Sequence, residues 1–391
     1  MRKPHSVAQR FLFCIFSFLL LISLLSLTAS ADTEEEESIG EKIPEEFTGL
    51  LDSLPDELAD LLPDGVFSLQ SDELAGAVSK MGSFSYLWET VLALCGVHLR
   101  DCVGLFALIC GILVLSALSR TVQSSFSSEG IGKSFSFCSS LVIFLSLLAV
   151  GYHNIASVTA YLSNLNTMAA SSLPLLGALY ALGGNVSAAV ASSAGLSIFM
   201  TLLEEAVGKT ILPFCGICLA FSSITALEPE VRLGSLVTAL KKNYTTALTF
   251  LMMLLLTMLG AQTTLASRAD SLAMRSVKFA AGNLIPIVGG SVSELLRTVS
   301  SGIGYLRGTI GLCGILLLLL LLLPTLVELF LIRLTWQLSA SVADLLGCTS
   351  EKKLLDEFAS LGGYLIAAIS ICSSVLLLAF TLLTHCASAI G

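Results

Sequence analysis

Long apolar runs separated by short polar connections dominate the chain. A helix needs about 20 mainly apolar residues to cross the hydrocarbon of a bilayer, which is roughly 30 Å thick. Six runs have that character, and they fall at residues 102–119, 135–152, 211–227, 246–265, 310–332 and 364–384. The pattern therefore predicts an all-α polytopic membrane protein.

One further apolar region makes the number of crossings ambiguous. Residues 134–203 contain no Asp, Glu, Lys or Arg, and a continuous helix of that length would measure roughly 105 Å. Pro174, Gly183 and Gly184 interrupt its second half, which forms either one interrupted span or a hairpin of two. Seven or eight transmembrane helices follow. The distribution of Lys and Arg fits both counts. We favour seven, because the basic connection 266–308 then faces the cytoplasm.

Two segments that contain proline and glycine resemble each other across the chain. The sequence AASSLPLLGAL at residues 169–179 matches AAGNLIPIVGG at residues 280–290. Broken apolar segments in corresponding places are typical of a transport pathway between two repeats, whereas small residues also simply allow helices to pack closely. We therefore expect broken or re-entrant segments near 171–185 and 280–303. The candidate pathway residues are Pro174, Gly177, Gly183, Gly184, Pro286, Gly289 and Gly290.

Three charged residues fall within or beside the apolar regions. Glu294 and Arg297 are three residues apart and can pair on one face of a helix, which favours a re-entrant or interfacial element there. Glu328 lies in a leucine-rich run, five residues before Arg333. Ionisable groups at membrane depth commonly mark ion or proton pathways. For Glu328 we favour pairing with Arg333 at the membrane interface, with an ion site as the alternative.

The N-terminal 101 residues have a different composition. Residues 1–31 have the basic start, apolar run and small-residue cleavage site of a signal peptide, with an uncleaved anchor as the alternative. Residues 32–101 hold 17 of the 29 acidic residues and only three basic ones, and we expect this segment outside the cytoplasm. Residues 102–391 form the multi-span domain.

A short repeat in the acidic segment predicts two amphipathic helices. The sequences PEEFTGLL at residues 44–51 and PDELADLL at residues 55–62 each place proline at a helix start and leucines on one face. These helices either rest on the membrane surface or dock another extracytoplasmic protein. The candidate docking residues are Pro44, Phe47, Leu50, Pro55, Leu58 and Leu61.

Composition supports the membrane assignment and excludes several activities. The chain is 55% hydrophobic and 13% charged, whereas about a quarter of a soluble domain is charged. There is no basic patch of the kind that nucleic acid requires. The four histidines lack metal-ligand spacing, and neither GKS at residues 132–134 nor GKT at residues 208–210 completes a phosphate-binding loop. We therefore expect no enzyme activity, cofactor or metal.

The stretch SRADSLAMRSVKFAAGNLIPIVGG at residues 267–290, followed by TVSSGIGYLRGTIGLCGI and the leucine-rich run, resembles the stage III sporulation protein AE family of endospore-forming Firmicutes. The resemblance implies a subunit of a channel complex in the mother-cell membrane around the forespore. It also implies partners: the other stage III A-operon membrane proteins, their ATPase and a forespore membrane protein. It supplies no catalytic or ligand residues.

Two functions remain open from the sequence. The first is an export-gate or scaffold subunit of that complex, which the missing nucleotide motif and the acidic extracytoplasmic segment favour. The second is a self-sufficient secondary transporter, which the internal repeat and Glu328 favour.

Overall fold

The computed structural model describes residues 46–59, 61–67, 70–124, 129–182, 186–227, 234–284 and 289–388. All its regular elements in these ranges are helical. The α-helices are α1 (Glu46–Leu51), α2 (Asp56–Ala59), α3 (Ser71–Met81), α4 (Phe84–Ser124), α5 (Glu129–Leu182), α6 (Val186–Leu203), α7 (Lys209–Leu227), α8 (Gly234–Leu284), α9 (Gly289–Leu345) and α10 (Thr349–Ser388). A 3-10 turn spans Asp64–Phe67, and a π-helical turn spans Glu204–Gly208.

Five of the described helices are long and apolar enough to cross a membrane. The spans are Phe84–Ser119, Leu141–Tyr180, Ser235–Ala266, Gly308–Leu345 and Thr349–Thr381. They confirm the predicted all-α polytopic membrane fold. The count of seven or eight crossings stays a prediction.

The hairpin of α9 and α10 forms the centre of the bundle. Gly314 packs against the ring of Phe380 near one end, and Trp336 contacts Phe358 with ring centroids 5.7 Å apart. The residue numbers rise on one helix as they fall on the other, so the two helices are antiparallel. Most of each apolar span is buried inside the protein, because the other long helices surround this pair.

The turn between α9 and α10 depends on one glycine. Gly347 has a φ angle of 72°, the only positive φ among the described residues. Its amide donates a hydrogen bond to the carbonyl of Asp344. A side chain in this left-handed region collides with the following carbonyl. Glycine is therefore needed here for the chain to reverse.

Gly347→Ala is expected to lower the free energy of unfolding by about 1 kcal/mol. The variant is compared with the wild type by thermal unfolding in one detergent. Gly177→Ala is the matched control, because Gly177 is inside α5 and an added methyl group there would meet nothing within 4 Å. Equal melting temperatures for the two variants would contradict the role of the turn.

Two helices flank the central pair in fixed register. Ser116 of α4 donates a hydrogen bond of 2.8 Å to Glu351 at the start of α10, and Gly82, just before α4, lies near Leu316 of α9. Helix α4 is therefore parallel to α9. Tyr161 of α5 hydrogen bonds Ser373 at 2.5 Å, which holds α5 alongside α10.

Helices α6 and α7 form one continuous rod with the π-helical turn between them. Gly195 of α6 packs against Leu259 of α8, and Thr210 of α7 hydrogen bonds Tyr244 of α8. The rod is thus antiparallel to α8. The charge-free region is divided between two rods: residues 134–182 belong to α5, and residues 186–203 form α6.

The structure corrects the expected break at Pro174. Helix α5 continues through Pro174 and Gly177 and ends at Leu182. Proline removes one backbone hydrogen bond, and neighbouring helices make such a loss tolerable in membrane proteins. Gly183 and Gly184 lie outside the described residues.

The second expected break lies between α8 and α9. Pro286 is outside the described residues, while Gly289 and Gly290 are the first two residues of α9. Glu294 and Arg297 lie within α9, and their side chains are outside the described part. Residues on both sides of this interruption belong to helices of more than 50 residues. The re-entrant or interfacial character of this segment stays a prediction.

The short N-terminal helices pack onto the bundle. The side chains of Phe47, Leu50 and Leu58 are 0%, 1% and 3% exposed. Helix α1 contacts α5, where Ser171 donates a hydrogen bond of 2.6 Å to Ser53. These apolar side chains are thus buried against other parts of the same chain, so they do not form an exposed docking surface. Pro55 and Leu61 are half-buried, and Pro44 lies outside the described residues.

Candidate functional site: a polar belt across the bundle

A buried ion pair connects α8 with α10. The Lys241 ammonium lies 3.6 Å from a carboxylate oxygen of Glu357 and donates a hydrogen bond of 3.2 Å to Ser360. The Lys241 side chain is 10% exposed, and that of Glu357 is 26% exposed. Charges are costly to bury unless they are paired and hydrogen-bonded. This pair therefore fixes the register of α8 against α10.

An aromatic cluster lies beside the ion pair, since Tyr364 and Lys241 line one groove. The Phe214 ring stacks on Tyr244 with centroids 4.4 Å apart, and Tyr364 lies within 6 Å of both rings. The hydroxyl of Tyr244 donates to the carbonyl of Ala206 at 3.1 Å. That carbonyl belongs to the π-helical turn, so the turn and the ion pair are parts of one arrangement.

Beside the ion pair, α8 and α10 border an open groove of about 340 Å³. Its lining consists of Lys241, Lys242 and three threonines of α8, together with Ser360 and Tyr364 of α10. Its lysines contribute ammonium groups, which are hydrogen-bond donors, whereas the hydroxyls of Thr245 and Thr246 already donate to backbone carbonyls of α8. Its chemistry suits water or an anionic group.

Glu328 pairs with a different residue from the one expected. Its carboxylate lies 3.3 Å from Nε2 of His153 on α5, and its side chain is 14% exposed. The expected partner, Arg333, is not in an ion pair within the described part of the chain. The pairing with Arg333 is therefore wrong, because α5 brings His153 to the face of α9 that carries Glu328. A His–Glu pair can hold or transfer a proton.

Arg333 occupies a space made by two glycines. A methyl group added at Gly363 would lie 2.8 Å from the guanidinium carbon, and one added at Gly362 would lie 3.3 Å from the Trp336 ring. The buried Nε of Arg333 has no hydrogen-bond partner among the described residues. The pair Gly362 and Gly363 therefore allows α10 to approach the large side chains of α9.

These groups lie at similar heights along the bundle axis. Arg333 faces Gly362 and Gly363, five to six residues beyond Glu357 on α10. On α5, Gly151 contacts Phe358 and Tyr161 contacts Ser373, so His153 and Asn154 lie between these levels. On α4, Cys102 lies beside Thr335, which places the exposed residues Arg100 and Asp101 at about the height of Arg333 along the bundle axis. We call this set the polar belt: Arg100, Asp101, His153, Asn154, Lys241, Glu328, Arg333 and Glu357.

Asn154 is a buried member of the polar belt whose side-chain amide has no hydrogen-bond partner among the described residues. It is 1% exposed, and neither its amide nitrogen nor its oxygen has a hydrogen-bond partner among the described residues. An unpaired amide at this depth costs free energy. Buried water commonly satisfies such groups, so the belt is suited to hold water within the bundle.

Sequence reasoning singled out Glu328 and Arg333 but missed the other members of the belt. Lys241 and Glu357 lie outside the apolar runs, where charged residues are ordinarily exposed. Lys241 and its partner Ser360 are 119 residues apart, so no local sequence pattern indicates their contact. His153 and Asn154 could have been found from the sequence, because they are two polar residues directly after the apolar run 135–152. Within the described chain, no three metal-binding side chains cluster.

The comparisons with known proteins agree with the fold. The family model for Stage III sporulation protein AE matches residues 72–389. A Bacillus subtilis (strain 168) protein named "Stage III sporulation protein AE" is 24% identical over 361 residues, which cover 91% of this chain and 86% of that protein. No solved structure matches the chain. The chain therefore belongs to the stage III sporulation protein AE family and is a sporulation membrane protein.

Proposed function

We propose that this protein is an export-gate or scaffold subunit of the channel complex between mother cell and forespore. It works in the mother-cell membrane that surrounds the forespore, with residues 32–101 on the extracytoplasmic side. Its partners are the other stage III A-operon membrane proteins, their ATPase and a forespore membrane protein. The bilayer is its remaining partner, and nucleic acid is not.

The packing along the bundle axis carries this proposal. The seven consecutive leucines from Leu316 to Leu322 are each at most 6% exposed, because α4, α5, α8 and α10 pack around α9. Side chains thus fill the middle of the bundle above the polar belt. A path for solutes then follows the outside of the bundle and is completed by other subunits. This arrangement favours a subunit over a transporter that works alone.

One observation favours the second candidate, a self-sufficient transporter. Glu328 and His153 form a polar pair on a largely apolar helix pair. Coupled transporters place ionisable groups of this kind near the middle of the membrane. The two candidates differ in whether the charge of Glu328 is needed.

Glu328→Gln is expected to leave sporulation efficiency near the wild-type level. The amide has the same shape and accepts a hydrogen bond from His153, so the helices stay in register while the charge is lost. A proton- or ion-coupled transporter would instead lose function. The measurement is the yield of heat-resistant spores from a strain whose only copy of the gene carries the variant.

Glu89→Gln is the matched control, because Glu89 lies on α4 and is exposed. Amounts of both variant proteins in the membrane are compared by immunoblot. Loss of spores with Glu328→Gln at a normal protein level, while Glu89→Gln sporulates normally, would overturn the subunit proposal in favour of the transporter.

A further inference from the structure

The groove beside Lys241 lies between two helices that run in the same direction. Lys241 of α8 pairs with Glu357 of α10. Three residues further along α8, the ring of Tyr244 contacts that of Tyr364, which is seven residues further along α10. The residue numbers therefore rise together on the two helices, and α8 is parallel to α10.

The groove also lies where the charged residues of both helices end. Lys242 is followed on α8 by residues 243–267, which contain no Asp, Glu, Lys or Arg. Glu357 is followed on α10 by residues 358–391, which contain none either. Crossing the hydrocarbon takes about 20 mainly apolar residues, so each uncharged stretch is long enough to cross it. The groove therefore lies at the boundary between the membrane interior and its surface.

Two ammonium groups line the groove, and one carboxylate lies beside them. Lys241 is 8% exposed, faces Glu357 at 3.6 Å and donates a hydrogen bond to Ser360. Lys242 is exposed and forms no ion pair among the described residues. Two positive groups and one negative group leave a net charge of +1. Because Glu357 neutralises Lys241, Lys242 supplies the charge that the chain leaves unpaired.

Two hydroxyl groups of α10 at the groove lack an acceptor. Tyr364 is 6% exposed, and its hydroxyl has no hydrogen-bond partner among the described residues. The neighbouring hydroxyl of Tyr244 already donates to the carbonyl of Ala206. Ser360 accepts a hydrogen bond from Lys241, and its own hydrogen has no acceptor within the described part of the chain. A buried donor without a partner costs free energy, and an anionic oxygen in the groove would provide the missing acceptor.

An exposed apolar strip continues from the groove along α8. Phe250 and Met253 are 71% and 52% exposed. Both lie within about 80° of Lys242 around the helix axis, on the side that leads into the uncharged stretch. An acyl chain attached to a group in the groove would lie against these two side chains. A phosphate ion free in solution would leave them uncovered.

We propose that the groove binds the phosphate of an anionic phospholipid, whose acyl chains lie along Phe250 and Met253. The ammonium of Lys242 pairs with the phosphate, and Ser360 and Tyr364 donate hydrogen bonds to it. The groove volume of about 340 Å³ is in the usual range of about 300–1,000 Å³ for ligand sites. A head group of one negative charge, as in phosphatidylglycerol, matches the net positive charge. Basic pockets between membrane helices are known to bind anionic head groups. The site does not depend on the proposed channel role.

Lipid binding to the purified full chain in detergent tests the proposal. Native mass spectrometry measures the dissociation constants of phosphatidylglycerol and of phosphatidylcholine, whose head group has no net charge. We expect phosphatidylglycerol to bind roughly fivefold more tightly. A large excess of inorganic phosphate should not displace it, because the acyl chains contribute to binding. Equal affinity for the two lipids, or displacement by inorganic phosphate, would overturn the proposal.

Lys242→Gln removes the unpaired charge and is expected to raise the dissociation constant of phosphatidylglycerol roughly fivefold. Lys353→Gln is the matched control, because Lys353 is exposed on α10 but does not line the groove. It lies about 10 Å along the helix from Ser360, beyond the screening length of about 8 Å at 0.15 M salt. Its dissociation constant should therefore stay near the wild-type value. Equal losses in both variants would indicate a general attraction of lipid to positive charge and would overturn the site.

Glu357→Gln is expected to change the affinity in the opposite direction. The amide leaves the Lys241 ammonium without a carboxylate partner, so the net charge of the three groups rises from +1 to +2. Phosphatidylglycerol should then bind roughly fivefold more tightly than to the wild type. Size-exclusion chromatography checks that each variant is folded before the titration. A dissociation constant for Glu357→Gln equal to or above the wild-type value would contradict the proposed site.

Discussion

Trp336→Ala is expected to lower the free energy of unfolding by about 3–5 kcal/mol, the largest effect of any single substitution considered. Trp336 is 1% exposed and packs edge-on against Phe358. Its indole nitrogen has no hydrogen-bond partner among the described residues, so the side chain stabilises the bundle by packing. Alanine would leave a cavity between α9 and α10 that the rigid helices cannot close.

Trp88→Ala is the matched control for that prediction. Trp88 lies on α4 and is 52% exposed, so its removal takes little packing from the interior. Both variants are followed by thermal unfolding in the same detergent, with the amount of folded protein measured by size-exclusion chromatography. If Trp88→Ala lowers the melting temperature as much as Trp336→Ala does, the packing of α9 against α10 is not the main source of stability.

Lys241→Met is expected to destabilise the protein by about 3 kcal/mol, because it leaves the Glu357 carboxylate without its ammonium partner. Glu357 is 26% exposed, so water offsets part of the loss, and the effect lies at the low end of the range for buried pairs. Methionine keeps much of the length of the lysine side chain.

The double variant Lys241→Met, Glu357→Met separates charge pairing from packing. Replacing both partners by apolar residues removes the cost of burying charge, so the double variant is expected to be more stable than Lys241→Met alone. Thermal unfolding of the wild type, both single variants and the double variant gives the coupling energy directly. Additive losses would show that the pair contributes nothing beyond two separate side chains.

Five of the six apolar runs predicted as spans lie in membrane-length helices of the described chain, the run 211–227 being the exception. Hydropathy underestimated the length of those helices. The predicted span 364–384 lies in a helix that begins at Thr349, and 310–332 lies in a helix of 57 residues. Apolar runs indicate which segments contact lipid or the protein core, whereas the positions of helix ends depend on caps, turns and neighbouring helices. Polar residues such as Glu351 and Lys352 therefore continue α10 once Gly347 has reversed the chain.

Local patterns also could not show where apolar faces pack. The leucines of α1 and α2 have the spacing of a docking surface, yet α5 lies close enough to cover Phe47 and Leu50. The partner of Glu328 likewise comes from another helix. Contacts between distant helices depend on the register of the whole bundle, which periodicity in one segment does not contain.

Isolation of the assembly from sporulating cells tests the central claim most directly. A tagged chain is purified from membranes in mild detergent, and its partners are quantified by mass spectrometry, with a strain lacking the stage III A-operon ATPase as the comparison. We expect the other operon proteins to copurify in fixed ratios with the chain. Recovery of the chain free of these proteins, together with solute transport by the chain alone in liposomes, would contradict the account.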